Sequence, residues 1–232
     1  MKPASLKSFT IVFIIIVTIE LICDHIDIAR GFHYATKPLI VISLLWFFIR
    51  NGKGLSSNTT KLTIAALCFS LLGDVFLMLV DTSPHFFMIG LICFLIAHIM
   101  YVLVFRKSMN KSIKPYLFII LLCIYAFGLF SFLKDGLGEL LIPVVVYMLV
   151  ILAMATFAYI RKGQVSIISY KMVLLGAILF MISDSILALN KFVEPINYSG
   201  ILIMLTYAFA QYFIIIGLLK QHEELPPKRS NN

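Results

Sequence analysis

The chain has 232 residues, of which 61% are hydrophobic and 13% charged, with a mean hydropathy of +1.02 and a net charge of +8. Soluble domains carry about 25% charged residues, so this composition excludes a soluble protein and predicts an integral membrane protein. Apolar runs occupy nearly the whole chain, which also excludes a separate soluble catalytic domain. Any chemistry must come from groups on the membrane helices or just beyond their ends.

Eight apolar runs follow one another along the chain, and a membrane-spanning helix needs about 20 such residues. The runs are continuous, which excludes the alternating strands of an outer-membrane barrel. The first two are short, and we expect tilted or partly interfacial helices there; the first is interpreted as a retained helix, not a signal peptide. We predict an all-α polytopic transmembrane bundle of about eight helices, forming one domain over residues 1–220 with a short polar cytoplasmic tail at 221–232. The predicted helices cover residues 9–23, 35–49, 62–80, 86–105, 115–133, 139–160, 171–190 and 199–219.

The basic residues are distributed unequally between the two sides of this bundle. Of the 19 Lys and Arg, only Arg30, Lys37, Lys134 and Lys191 lie at one end, and the others lie in the even-numbered loops and near the termini. This is the positive-inside pattern, so we predict that both termini are cytoplasmic. A nucleic-acid partner would need basic residues clustered with aromatic ones, and we expect none. A prokaryotic cytoplasmic membrane is the expected location.

Two acidic residues lie within predicted spans: Asp74 in the third, "FSLLGDVFLML", and Asp184 in the seventh, "LFMISDSILAL". An aspartate at the centre of a bilayer costs at least about 2.5 kcal/mol, so intramembrane carboxylates usually mark a site. Asp74 precedes the outer-loop residue Asp81 by seven positions, and Asp184 precedes Lys191 by seven. Both carboxylates therefore lie at about the same depth, roughly 10 Å below the outer helix ends.

Two carboxylates at one depth can meet inside a bundle. Burial and a neighbouring like charge both favour the protonated form of at least one of them, which leaves an acid beside a carboxylate near neutral pH. The alternative is that each aspartate accepts hydrogen bonds separately and only holds neighbouring helices together.

Other polar residues recur on helix faces at one-turn spacing and are candidates for lining a shared cavity. Tyrosines at such positions also serve as core aromatics, and a lysine at a helix end also serves as an anchor at the membrane surface. The candidate substrate-binding residues are Lys37, Ser70, His98, Tyr101, Tyr147, Ser183, Tyr207 and Gln211.

Five short motifs resemble, in their order along the chain, those of the YhhN family, the lysoplasmalogenases. They are "KPL" (37–39), "FSLLGDVFLML" (69–79), "GLICFLIAHIMY" (90–101), "GAILFMISDSILAL" (176–189) and "YAFAQYFI" (207–214). The resemblance implies a multi-pass enzyme that hydrolyses the vinyl ether bond of a lysoplasmalogen to a fatty aldehyde and glycerophosphoethanolamine or glycerophosphocholine. The paired aspartates of that family fall on Asp74 and Asp184.

Vinyl ether hydrolysis requires proton delivery to the β-carbon and a carboxylate near the oxocarbenium ion that forms, a division of labour also found in glycosidases. We expect Asp74 to be the acid. Asp184, with Ser183 and Ser185 beside it, is the expected stabiliser and base for water. Lys37 would bind the substrate phosphate, and no cofactor or metal is expected.

Two other functions remain open from the sequence. A zinc-dependent lipid hydrolase needs several histidines at the metal, but His98 is the one histidine in a predicted span. A proton-coupled transporter could use the same two aspartates, although helices broken by paired Gly or Pro at the binding level are absent here.

Overall fold

The computed structural model describes residues 3–25 and 30–221. Within these residues the chain forms eight long helices and no strand, and all eight are long and apolar enough to span a membrane, which confirms the predicted bundle. Except for Gln221, the predicted polar tail lies outside the described residues. The helices are α1 (Pro3–His25), α2 (Arg30–Asn51), α3 (Ser57–Met78), α4 (His85–Arg106), α5 (Tyr116–Leu133), α6 (Leu141–Tyr159), α7 (Ile167–Phe192) and α8 (Ser199–Leu219).

The first two helices are longer than their apolar runs predicted. In α2 the residues added at its start, 30–34, include His33, whose polarity hides it from a hydropathy reading. His33 and the nearby Thr36 both face the buried Glu20 of α1: the Thr36 hydroxyl donates a hydrogen bond to its carboxylate, and Nδ1 of His33 lies 2.8 Å from its Oε1. Polar contacts between the two helices thus extend α2 beyond its apolar segment.

Serine caps explain why α3 and α7 also begin earlier than predicted. The hydroxyl of Ser56 accepts a hydrogen bond from the Thr59 amide, and that of Ser166 accepts one from the Ser169 amide. Such caps satisfy amides at a helix start that have no partner within the helix. The two helices that carry the intramembrane aspartates therefore start at defined positions.

The helices α1, α3, α5 and α7 end at the same end of the bundle. We call it the outer end, because the charge pattern predicts that it faces away from the cytoplasm. Near the middle of the bundle, α7 and α8 pack closely at Gly176, where an added Cβ atom would lie 2.8 Å from the carbonyl oxygen of Ala210. Small residues allow such close approach in membrane bundles. This contact fixes α7, with Asp184, against α8, with Tyr207.

Gly176→Ala should therefore lower the stability of the protein, by about 1–3 kcal/mol, because the new methyl group would collide with backbone that cannot move independently. Gly128→Ala is the matched control, since an added Cβ on this α5 residue would meet no atom within 4 Å. Thermal unfolding in detergent should show a lower Tm for the first variant alone. Equal Tm values for both variants would contradict the close packing of α7 on α8.

The fifth helix lies at the periphery of the bundle. Within α5 only Leu122 and Leu133 are buried, whereas Leu117 and Phe127 are more than two-thirds exposed. In a membrane these exposed side chains would contact lipid. The loose packing of α5 leaves space between it and helices α4, α6 and α7, and this space contains the candidate site.

Candidate active site

The carboxylate of Asp184 is held by side chains of two other helices. The Tyr147 hydroxyl, on α6, donates a hydrogen bond of 2.6 Å to Asp184 Oδ2. Nε2 of the fully buried His98, on α4, lies 3.8 Å from the same oxygen, which is within ion-pair distance but too long for a hydrogen bond. Neither ring nitrogen of His98 has a hydrogen-bond partner among the described residues. Three helices therefore bring an acid, a phenol and an imidazole together.

The two serines beside Asp184 have other partners. Ser183 donates to the carbonyl oxygen of Ile203 on α8, and Ser185 donates to that of Met181 one turn earlier on α7. The expectation that these serines supply donors to Asp184 is therefore not met, and Tyr147 supplies the donor in their place. Because the Ser185 hydrogen is used, its oxygen accepts the hydrogen bond of 2.6 Å from the Tyr125 hydroxyl.

Sequence reasoning did not select Tyr125, which lies on the peripheral helix α5. Its hydrogen bond to Ser185 joins α5 to α7 one residue from Asp184. The available signal was a single tyrosine within an apolar run, and this pattern also fits a lipid-facing residue.

Asp74 belongs to a second polar network, formed by α3, α4 and α8. The Tyr207 hydroxyl donates a hydrogen bond of 2.7 Å to Asp74 Oδ2. Beside this pair, Tyr101 donates to Gln211 Oε1 at 2.6 Å, and Gln211 Nε2 donates to Ser70 Oγ at 2.9 Å. Four predicted site residues, Ser70, Tyr101, Tyr207 and Gln211, are thus brought together around Asp74.

Lys37, on α2, is half-buried on the Asp74 side of the bundle. Its positive charge is close enough to interact with the Asp74 carboxyl group, as are the charged groups of Glu20 and His33. Asp74 therefore lies in an environment of several charges near the outer end, whereas the described partners of Asp184 are an imidazole and a phenol.

An aromatic side chain separates the two networks. The ring of Phe180 packs edge-on against His98 on one side, with centroids 4.5 Å apart, and against Tyr207 on the other, 5.4 Å apart. Among the described residues the two carboxylates share no hydrogen-bond partner. The phenols of Tyr147 and Tyr207 are nevertheless close enough to interact electrostatically, so the networks adjoin at these two tyrosines.

The space beside α5 is a partly open pocket. Asp184 lines it and is 16% exposed, whereas Asp74 does not line it and is 2% exposed. The only other polar side chains of the lining are Tyr125, Tyr147 and Ser185, and the rest are apolar. The pocket thus presents one carboxyl group in a mostly apolar space, which suits a ligand with a hydrocarbon chain and a single reactive polar group.

In the described part of the chain, no three His, Cys, Asp or Glu side chains are arranged to hold a metal ion. His98 faces Asp184, and His33 faces Glu20 at the outer end of α1 and α2. These two histidines are therefore in different polar clusters, and the described residues provide no zinc ligand set of the kind that hydrolases use.

The helices define a multi-pass membrane protein, and in the pocket beside α5 the carboxyl group of Asp184 lies among mostly aromatic and aliphatic side chains. Residues 32–218, most of the chain, match the model of the YhhN family. The protein belongs to this family, which confirms the resemblance seen in the motifs.

Curated relatives named lysoplasmalogenase align with most of the chain. Lysoplasmalogenase TMEM86B of Homo sapiens is 28% identical over 182 residues, covering 78% of this chain and 72% of the relative. Lysoplasmalogenase TMEM86A of Bos taurus is 29% identical over 201 residues, covering 83% and 80%. Lysoplasmalogenase TMEM86A of Homo sapiens is 28% identical over 193 residues, covering 81% and 78%. No solved structure matches the chain.

Proposed function

We propose that the protein is a lysoplasmalogenase, which hydrolyses the vinyl ether bond of 1-alkenyl lysophospholipids to a fatty aldehyde and glycerophosphoethanolamine or glycerophosphocholine. The observation that carries the proposal is the position of Asp184, a tyrosine-bonded carboxyl group at the wall of an apolar pocket. The relatives named lysoplasmalogenase support the substrate class. A prokaryotic cytoplasmic membrane is the proposed location, and the charge distribution supports an orientation in which the outer end faces away from the cytoplasm.

The reaction needs one proton on carbon and one water molecule. An acid protonates the β-carbon of the alkenyl group, and the positive charge appears on the α-carbon and the ether oxygen. Water adds to the α-carbon and loses a proton to a base, and the resulting hemiacetal collapses to the aldehyde and the free glycerol hydroxyl. One carboxyl group can serve as the acid first and then, as the carboxylate, as the base.

We assign both steps to Asp184, because this carboxyl group lines the pocket. Asp184 thus keeps the role of base expected from the sequence and also takes the role of acid that was expected for Asp74. After the proton has left, the hydrogen bond from Tyr147 stabilises the carboxylate, and the carboxylate stabilises the adjacent oxocarbenium ion. His98 lies within ion-pair distance of the same oxygen and is proposed to orient the carboxyl group.

Asp74 is proposed to act through the tyrosine pair. It fixes Tyr207, whose phenol adjoins that of Tyr147, and Ser70, Tyr101 and Gln211 hold this arrangement from the other side. In this proposal Asp74 is required for activity as a positioning residue. The charge of Lys37 compensates the buried carboxyl group of Asp74.

The purified protein in detergent should release aldehyde from 1-alkenyl-lysophosphoethanolamine and leave the 1-acyl analogue intact. Activity should be unchanged by a chelator, since the proposed chemistry uses side chains alone. Loss of activity with the chelator and recovery with zinc would support the metal hydrolase instead. If a monodisperse sample releases no aldehyde, the proposal fails, and proton-linked uptake into vesicles would then support the transporter.

A further inference from the structure

The pocket extends from about one turn inward of Asp184, where Met181, Ile151 and Leu152 line it, to the outer end of the bundle. Its outer part is lined by Phe87 in the first turn of α4, Leu133 at the end of α5, Val144 in the first turn of α6 and Phe192 at the end of α7. The segment that connects α5 and α6 packs tightly beside this mouth, since any side chain at Gly136 would overlap the carbonyl group of Phe192.

A lysine lies at this mouth. The ammonium group of Lys191 is 5.2 Å from the centroid of the Phe87 ring, and that ring packs edge-on against Phe192, with centroids 5.6 Å apart. Both rings line the pocket, so the cation lies against its outer wall. Lys191 itself is exposed, and its ammonium group has no carboxylate partner within salt-bridge distance among the described residues.

Lys191 and Asp184 are on the same helix, seven residues apart. Seven residues make two turns, so both side chains leave the same face of α7, with their Cα atoms roughly 10 Å apart. The Cα–Cβ bonds of a helix point toward its N-terminus, so the stem of Lys191 begins in the direction of Asp184. The cation and the carboxyl group are thus aligned along one wall of the pocket.

We propose that Lys191 binds the phosphate group of a lysophospholipid whose vinyl ether lies at Asp184 and whose hydrocarbon chain leaves the pocket on the inner side of Asp184, an inference that rests on the proposed function. In such a lipid the three carbons of glycerol separate the phosphate from the vinyl ether. With the vinyl ether at Asp184, the phosphate is directed toward the mouth, and the flexible four-carbon stem of Lys191 spans the remaining distance. A phosphate on this cation would therefore set the depth at which the vinyl ether stops.

Lys37 is less well placed than Lys191 to bind a phosphate at this pocket. Lys37 does not line the pocket, and its charge interacts with Asp74 on the other side of Phe180. The phosphate-binding role expected for Lys37 from the sequence is therefore transferred, in this proposal, to Lys191.

Binding of a non-cleavable lipid tests the proposal without requiring turnover. The full-length protein in detergent would be titrated with 1-O-hexadecyl-lysophosphoethanolamine and, separately, with 1-O-hexadecylglycerol, which lacks the phosphate. We expect Lys191→Gln to weaken binding of the first lipid about tenfold and to leave binding of the second unchanged. Lys191→Arg should restore most of the affinity, and Lys134→Gln, at the same end of the bundle, should have no effect.

Three results would overturn the proposal. The first is wild-type affinity of Lys191→Gln for the phospholipid. The second is an equal loss of affinity for both lipids, which would indicate a structural role of Lys191. The third is competition by inorganic phosphate at the concentrations at which the lipid binds, which would identify free phosphate as the ligand. With the alkenyl substrate, Lys191→Gln should raise KM more than it lowers kcat. If wild-type protein binds the phospholipid through Lys191 but releases no aldehyde, the binding site stands and the proposed function fails.

Discussion

Replacing Asp184 by asparagine should lower kcat for aldehyde release about 10³-fold, the middle of the range for loss of a general acid or base. The amide oxygen of asparagine can still accept the hydrogen bond from Tyr147, so the fold should be retained. The amide cannot donate a proton to carbon at neutral pH. The variant should therefore bind the non-cleavable lipid with nearly wild-type affinity, and this measurement separates lost chemistry from lost binding.

The matched control is Asp81→Asn, which makes the same chemical change at an exposed aspartate of the outer loop. We expect wild-type activity from it. An Asp184→Asn variant that is monodisperse, binds lipid and retains more than about a tenth of the activity would show that another group supplies the proton.

Replacing Asp74 by asparagine should lower kcat about 10²-fold, a smaller loss because Asp74 does not line the pocket. The change removes a carboxyl group with which the Lys37 charge interacts and weakens the acceptor for the Tyr207 hydroxyl. If Asp74 acts by fixing Tyr207, then Tyr207→Phe should cause a similar loss, and the double variant should lose little more than either single variant. Such non-additivity is the signature of residues that act as one unit.

Independent losses would contradict this account of Asp74. If the two single changes multiply to about 10⁴-fold in the double variant, Asp74 acts on the reaction by a route that does not include Tyr207. Full activity of Asp74→Asn would remove the residue from the site altogether. Thermal unfolding of each variant would distinguish these results from misfolding.

Much of the fold follows from the sequence, because hydrocarbon imposes continuous apolar runs of nearly constant length. The predicted helix ends were less accurate where polar side chains extend a helix. His33 lengthens α2 through its contact with Glu20, and Ser56 and Ser166 cap helices that begin before their apolar runs. These contacts form between helices or within loops, so hydropathy along one segment does not reveal them.

The sequence also selected most of the polar residues that the structure brings together, because burial of a polar group in a membrane is costly and rare. The sequence did not predict that these polar residues form two separate networks. Asp74 and Asp184 lie at a similar predicted depth, but Phe180 separates their networks and only Asp184 lines the pocket. Depth follows from counting residues along a helix, whereas the direction of a side chain around the bundle depends on which helices pack together.

The partners of Asp184 illustrate the same limit. Ser183 and Ser185 are its neighbours in the chain, yet they bond to backbone carbonyl groups, and the donor to Asp184 is Tyr147 from another helix. Serine in a helix readily bonds to nearby carbonyl oxygens, so sequence adjacency was a poor guide to its partner.

The proposed function depends on protonation of the β-carbon of a vinyl ether, and the position of deuterium in the product reports this step. Purified wild-type protein would hydrolyse 1-alkenyl-lysophosphoethanolamine in D2O, and the aldehyde would be trapped and analysed by mass spectrometry. We predict one deuterium on C2 of the aldehyde, the former β-carbon, with about 10³-fold less product in the same time from Asp184→Asn. Aldehyde without deuterium at C2, or equal labelled product from Asp184→Asn, would contradict the account.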